Sequence, residues 1–534
     1  MDHKIKCDLS LFGLQQARDL SRDLSEIRRF QADSGTLVPC YPSNSTSSPG
    51  NTTMKIINFG ALAILTVAAL AACQRAEEPA SDAPAAESSA ANAVSSFQVP
   101  VRYHTLGNGL KVVLSQDKTT PIATIAVYYN IGFRIEPQER TGFAHLFEHM
   151  MFQGSQNLGK GEFIQLIQSN GGVLNGSTRF DYTNYFEIVP THKLETMLWA
   201  EADRMRSLDI TQDNLTNQQG VVKNEVKVNV LNTPYGGFPW LDMPQYANVN
   251  WYNSHNFYGD LDDLDAASLD DVADFFQQYY APNNAALVIV GDFEYDETLA
   301  MIERHFGDIS RSPQEIVLPD ISEPRQEAEK RASRLDQQAT RPGFAFAYHV
   351  PERLTPEWYA MGLLDQILLQ GEDSLLNQSL VKDEGITAGI SGGINALLGN
   401  MLNYQGPMLW LASFIHDADV NEERIVTIID AVIEQVRNEP VDAETLARAK
   451  VKWRSDYYNN VSSLYGFGRA DLLASLALYD DNPDRINNFE AEMMKVTPEI
   501  VQKTAQEYLR SSNRTILVLE AGAGEANAEA TAND

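Results

Sequence analysis

Five consecutive residues, His145-Leu-Phe-Glu148-His149, bring two imidazoles and a carboxylate together within little more than one helical turn. Helix residues four apart stand about 40° apart around the axis and about 6 Å along it. His145 and His149 can therefore grip one ion from the same face, and Glu148 can take a proton from a water held there. Zinc-assisted hydrolysis needs such imidazoles and such a base, with a further carboxylate ligand and one open position. The competing reading is two core histidines satisfied by local hydrogen bonds. The third ligand should be an acid on another helix. Glu225, in Val-Val-Lys-Asn-Glu-Val-Lys, is a candidate, although a Glu on an amphipathic helix is ordinarily a solvated face residue.

Those side chains need a scaffold. Residues 142–153 and 161–169 have helical spacing, and Phe143, Leu146, Phe147, Met150 and Met151 wall the motif with apolar surface. Residues 110–115 and 122–129 carry the β-branched and aromatic content of strands, after a Gly107-Asn108-Gly109 turn signal. Residues 173–179 and 184–189 read as a strand pair, 194–208 and 211–232 as long helices, and 287–291 as a further strand. Such mixing without strict alternation predicts an α+β domain over 97–310.

A Pro-, Glu- and Arg-rich stretch, 311–342, reads as a linker. The organisation then restarts over 343–520, with a strand at 343–349 and a helix at 358–369. With Gly154 set against Gly371, the apolar positions of 145–154 match those of 362–371. The polar ones differ: His145, Glu148 and His149 face Gly362, Asp365 and Gln366. This pattern predicts a duplicated domain that keeps the metal site only in its first copy. The Ala/Glu/Asn tail, 521–534, is expected to be disordered.

Composition sets outer limits. The 534 residues allow two to four cores, and 41 Lys+Arg against 72 Asp+Glu give a net charge of −31. Such acidity argues against nucleic acid; it suits cationic substrates, or solubility alone. The three cysteines, Cys7, Cys40 and Cys73, all precede the globular part, which therefore has no internal disulfide and no thiolate metal site. Met54-Lys55, an apolar run over 56–70 and Leu70-Ala-Ala-Cys73 form a secretory signal too short for a membrane span. Its end resembles the bacterial lipoprotein box, which implies a lipid on Cys73. Because Gln74 follows instead of Asp, an outer-membrane anchor facing the periplasm is expected. We accordingly expect translation to start at Met54, residues 1–53 to be a non-native upstream extension, 54–73 the signal peptide and 74–96 a flexible acidic tether.

Longer motifs carry a family resemblance. They are Gly-Phe-Ala-His-Leu-Phe-Glu-His-Met-Met-Phe-Gln-Gly over 142–154 and Gly-Gly-Val-Leu-Asn-Gly-Ser-Thr over 171–178, with Thr183 and Tyr185. Val-Val-Lys-Asn-Glu over 221–225, Leu264 to Ala267, Tyr-Tyr-Ala-Pro-Asn-Asn over 279–284 and Gly291-Asp292 continue the pattern. Together they resemble the pitrilysin family of zinc peptidases, in its half-size branch with the mitochondrial processing peptidase and bacterial two-subunit peptidases. The resemblance implies two homologous α+β domains forming half of a clam-shell chamber that admits short or unfolded peptides. It implies one zinc ion per chain on His145, His149 and Glu225, with Glu148 as catalytic base. Asn175, Gly176, Ser177 and Thr178 would lie on the edge strand that receives substrate through main-chain hydrogen bonds.

Two departures stand out. The family often has an acid seven residues before the third ligand, where this chain has Gln218. Active members also draw an Arg and a Tyr from the second half, from segments matching Ser374-Leu375-Leu376 and Gly385-Ile386-Thr387-Ala388, which contain neither. A homologous zinc-free partner chain is therefore expected to supply those groups. The alternative is a non-catalytic peptide-binding or assembly subunit of the same fold.

Overall fold

Strand-forming segments collect into two sheets in the computed structural model, which describes residues 97–396, 398–463 and 467–522. The upstream stretch, the signal with Cys73, the tether 74–96 and the tail from 523 lie outside the described residues. The first sheet contains β1 (Arg102–Thr105), β2 (Lys111–Gln116), β3 (Ile122–Tyr129), β4 (Val173–Thr178), β5 (Thr183–Pro190) and β6 (Ala285–Gly291), in the order β1-β2-β6-β3-β5-β4. The second contains β7 (Lys330–Asp336), β8 (Gly343–His349), β9 (Ser391–Ile394), β10 (Leu409–Ile415) and β11 (Arg514–Ala521), in the order β7-β11-β8-β10-β9.

With β1 set aside, the two orders are the same. Each sheet has one parallel pair, β2 with β6 and β7 with β11, followed by three strands paired antiparallel. The duplication inferred from the apolar positions is therefore a duplication of topology. Its central strands, such as Ala-Ala-Leu-Val-Ile-Val-Gly of β6, are buried along their whole length, because both faces of the sheet are covered.

Six helices position the site and join the two halves: α1 (Phe143–Met150), α2 (Gln212–Val226), α3 (Asp242–Ala247), α4 (Pro356–Leu368), α5 (Ala443–Val461) and α6 (Phe467–Asp480). α1 packs on α2 in the first half as α4 packs on α5 in the second. The remaining two are exchanged. α3, from the first half, lies on β8 and β11, where Met243 and Ala247 bury against Ala345, Ala347, Leu409, Leu411 and Leu517. α6, from the second half, lies on β2, β3 and β6, so that Leu472, Leu473 and Leu476 join Val113, Ala126 and Tyr128 in one core. At roughly 1.5–3 kcal/mol for each large apolar side chain buried, this exchange is a main source of cohesion between the halves.

Polar contacts fix the register of that seam. Asp471 of α6 accepts hydrogen bonds from Tyr128 (2.9 Å), Tyr182 (3.2 Å) and Asn403 (3.1 Å), and burial raises its carboxyl pKa. Arg134 pairs with Asp181 at 2.9 Å and donates to the carbonyl of Pro407, with both charged side chains almost fully buried. Such a pair is costly to break from one side only.

The stretch that composition marks as a linker contains β7. Its sequence, Lys-Arg-Ala-Ser-Arg-Leu-Asp, alternates between half-buried and exposed, which is the pattern of a charged edge strand. Composition suggested a linker for the whole stretch, and Lys330–Asp336 of it is sheet.

Candidate metal centre

α1 starts where only glycine fits. Gly142 has φ +80°, and a Cβ there would meet the carbonyl oxygen of Tyr258 at 2.4 Å. Gly142 has no side chain to cap the helix, so the cap comes from Glu136. Its fully buried carboxylate accepts the backbone N–H groups of Gly142 (2.9 Å) and Ala144 (2.5 Å). Burial raises the Glu136 pKa against opposing contacts from His255 and those two amides. A carboxylate at a helix N-terminus satisfies orphan donors and meets the positive end of the helix dipole. Glu136 thus sets where the motif helix begins.

From that start, helical spacing brings the two imidazoles together. His145 Nε2 and His149 Nε2 lie 3.3 Å apart, with the rings nearly perpendicular. α2 supplies Glu225, whose carboxylate is 3.3 Å from His149 Nε2 and 3.7 Å from His145 Nε2. Thr211 caps the start of α2, and past Val226 the helix widens into a π-type turn over Lys227–Leu231. Among the described residues, His145, His149 and Glu225 are the one cluster of three His, Cys, Asp or Glu groups close enough to share an ion.

The spacing can be tested against zinc. Bonds of about 2.0–2.1 Å at tetrahedral angles put ligand atoms about 3.3 Å apart. The His145–His149 and His149–Glu225 Oε2 separations match that value; the 3.7 Å to His145 is measured from the other Glu225 oxygen, and with one atom taken from each residue all three lie within 4.8 Å of one another. The residues fit.

Electrostatics tie the three groups to one another. Burial holds His145 below the ordinary imidazole range, against the pull of Glu225. Burial acts on His149 too, but its hydrogen bond to Glu225 and the field of Glu148 outweigh it and raise the pKa. Glu225 would rise on burial; the His149 hydrogen bond and both imidazoles instead bring it down to about 2. This is a pocket in which a carboxylate stays charged and seeks cationic company.

Glu148 is half-buried beside the triangle, and its Oε2 accepts a hydrogen bond of 2.8 Å from the hydroxyl of Thr178. All four residues expected to receive substrate lie on β4, the edge strand with only β5 beside it. They divide in two. Asn175, Gly176 and Ser177 are half-exposed, whereas Thr178 is buried and faces Glu148. Neither this inward role nor the cap by Glu136 was legible in the sequence. Strand alternation could have separated Thr178 from Ser177, but no spacing rule links residue 136 to the helix it caps.

Residues 111–235 match the family model described as "Insulinase (Peptidase family M16)", and residues 266–452 match "Peptidase M16 inactive domain". This chain belongs to peptidase family M16. The pitrilysin resemblance read from the motifs is thereby borne out, as is the two-part α+β fold. Among curated M16 relatives, the zinc protease PqqE of Helicobacter pylori is 26% identical over 421 residues, which cover 78% of this chain and 92% of that protein. A protease structure from Helicobacter pylori superposes with a TM-score of 0.73 at 24% identity, covering 79% of this chain and all of that one. The periplasmic protease PqqL of Escherichia coli gives 0.64 at 17% identity, but its matched region, covering 80% of this chain, is only 48% of its own length.

Against the M16 pattern, the departures have structural places. Gln218, where an acid is common, is buried and donates to Asn217, and His145 Nδ1 is buried without a hydrogen-bond partner. Ser374 is buried at the start of a short turn of helix, and Thr387 bonds to the carbonyls of Gly389 and Ile415. These segments hold the second half together and bring neither Arg nor Tyr.

Proposed function

We propose that this chain is a zinc-dependent endopeptidase in which His145, His149 and Glu225 hold the ion and Glu148 is the general base. The observation that carries this reading is the cluster of two imidazoles and one carboxylate, with a second, separately held carboxylate beside it. When bound, zinc supplies Lewis acidity to water and to the scissile carbonyl. Glu148 accepts the proton of the attacking water and passes it to the departing amine, while the Thr178 hydroxyl keeps its carboxylate in place. An extended peptide adds to the open edge of β4 at Asn175, Gly176 and Ser177, and strand pairing presents its backbone to the site.

The chain is the metal-bearing half of a two-part enzyme. A homologous zinc-free subunit supplies the Arg and Tyr that stabilise charge on the carbonyl oxygen. PqqL supports this arrangement, since about half of its length accounts for this chain's fold. The place of work is the bacterial periplasm, with a lipid on Cys73 as membrane anchor. Among the described residues no helix is long and apolar enough to cross a membrane.

The test is hydrolysis of an internally quenched peptide by the full chain, beside Glu148→Gln, with zinc content measured on both. Hydrolysis that disappears in Glu148→Gln while zinc is retained supports the reading. A wild-type chain without zinc, or activity that survives Glu148→Gln, overturns it. Zinc without activity in the wild type favours the split site, and adding the partner chain must then restore activity. If it does not, the second reading, a peptide-binding subunit, takes its place; the missing Arg and Tyr are what favour it.

A further inference from the structure

Tyr258 lies on no strand or helix that the motifs mark, yet it touches both helices of the site. Its hydroxyl donates to Glu225 Oε1 at 3.1 Å, and its ring stands edge-on to His145 with centroids 5.2 Å apart. The side chain is 3% exposed, packed against Phe257 and Trp240.

The backbone around it is pinned to the start of α1. The Tyr258 carbonyl fills the space a Cβ at Gly142 would need. Next in the chain, Gly259 has φ +69°, and a Cβ there would meet Gly142 N and Thr141 C at 2.3 Å each. Two glycines in close contact lock residues 258–259 against the N-terminus of the helix that carries both histidines. From that fixed point the phenol reaches across to the carboxylate on α2.

We infer that Tyr258 is a positioning residue that couples the two helices and holds Glu225 in register with His145 and His149. The inference rests on the metal-centre reading above. A hydrogen bond to one carboxylate oxygen fixes the rotation of the group and leaves the other oxygen, the one nearer His149, directed at the shared point. Outer contacts of this kind orient ligands, and losing one typically costs about 10- to 100-fold in metal affinity.

Tyr258→Phe keeps the ring and removes the hydroxyl. Zinc affinity of the full chain is measured by competition with a chelator, and the melting temperature is measured with the metal stripped. Tyr258→Phe should bind zinc about 10- to 100-fold more weakly than wild type, with the metal-free melting temperature unchanged. A metal-free melting temperature that falls in Tyr258→Phe would mean that the hydroxyl stabilises the fold at large, and that result overturns the inference. Undiminished affinity in Tyr258→Phe overturns it while leaving the metal centre standing. A wild-type chain that binds no zinc removes both.

Discussion

The two halves place similar helices in the same relation and fill the meeting point with different chemistry. Glu225 and Asp456 each lie 14 residues past the capping residue of their helix, Thr211 for α2 and Asp442 for α5. In the first half His149 faces Glu225 at 3.3 Å; in the second Gln366 donates to Asp456 at 3.3 Å. Asp365 stands where the other half has Glu148, but it is sealed by hydrogen bonds from Trp410 (2.7 Å) and Gln370 (3.1 Å). Gly362, in the place of His145, lies against Met401, whose sulfur would be 2.6 Å from a Cβ. Lys452 then ties the carbonyls of Gln366 (3.3 Å) and Gln370 (2.5 Å) to Asp373 (2.9 Å). One half turns three ligand atoms toward one another; its copy has a glycine, a hydrogen-bonded carboxylate and an amide bonded to Asp456 in the matching places.

The largest effect should come from giving the first half the residue of the second. His149→Gln should abolish zinc binding and, with it, hydrolysis of a quenched peptide, measured as metal per chain and initial rate. The reverse change, Gln366→His, should not create a second site, and the stoichiometry should stay at one zinc per chain. A second equivalent of zinc would mean that the Met401 contact does not close the copy.

A smaller effect is expected where Thr178 holds Glu148. Thr178→Val removes one hydrogen bond to a charged group, worth about 1.5–3 kcal/mol, so kcat should fall roughly 10- to 100-fold with KM and zinc content little changed. An unchanged kcat would show that Glu148 is held by packing alone.

The smallest effect concerns the sealed carboxylate. Burial lifts Asp365 from its ordinary 3.8 to about 6, against opposing hydrogen bonds from Trp410 and Gln370. Between those values the folded chain keeps a proton that the unfolded chain has released, so this contribution to stability is full below pH 3.8 and is lost as pH rises through 6. Asp365→Asn should therefore be more stable than wild type at pH 7.5, by roughly 1–3 kcal/mol, with the difference shrinking toward pH 4 and activity unaffected. Chemical denaturation at the two pH values reads it directly; a variant less stable at pH 7.5 would show that the ionised group is well paired.

Periodicity made the site's own helix and the central strands legible: β3 and β8 fall on the segments read from their apolar runs, and α1 lies within its predicted span. His145, Glu148 and His149 were legible for the same reason, since they share one helix and helix geometry is fixed by spacing. Glu225 required the resemblance, because nothing local relates α2 to α1. Glu136 and Tyr258 were out of reach for a further reason. Their roles depend on where loops and strand ends land after the sheets have packed, and hydrophobic pattern does not encode that. The exchange of α3 and α6 was hidden likewise, since an apolar face does not name the sheet it will cover.

That exchange has a consequence for how the chain can be taken apart. The connection between the sheets exposes Val317 and Leu318, at 80% and 42%, which makes it a natural target for a protease. Cutting there would sever the peptide and leave the molecule assembled, because each fragment still wears a helix of the other. For the same reason neither half is an independent folding unit. Each needs its neighbour to finish its core.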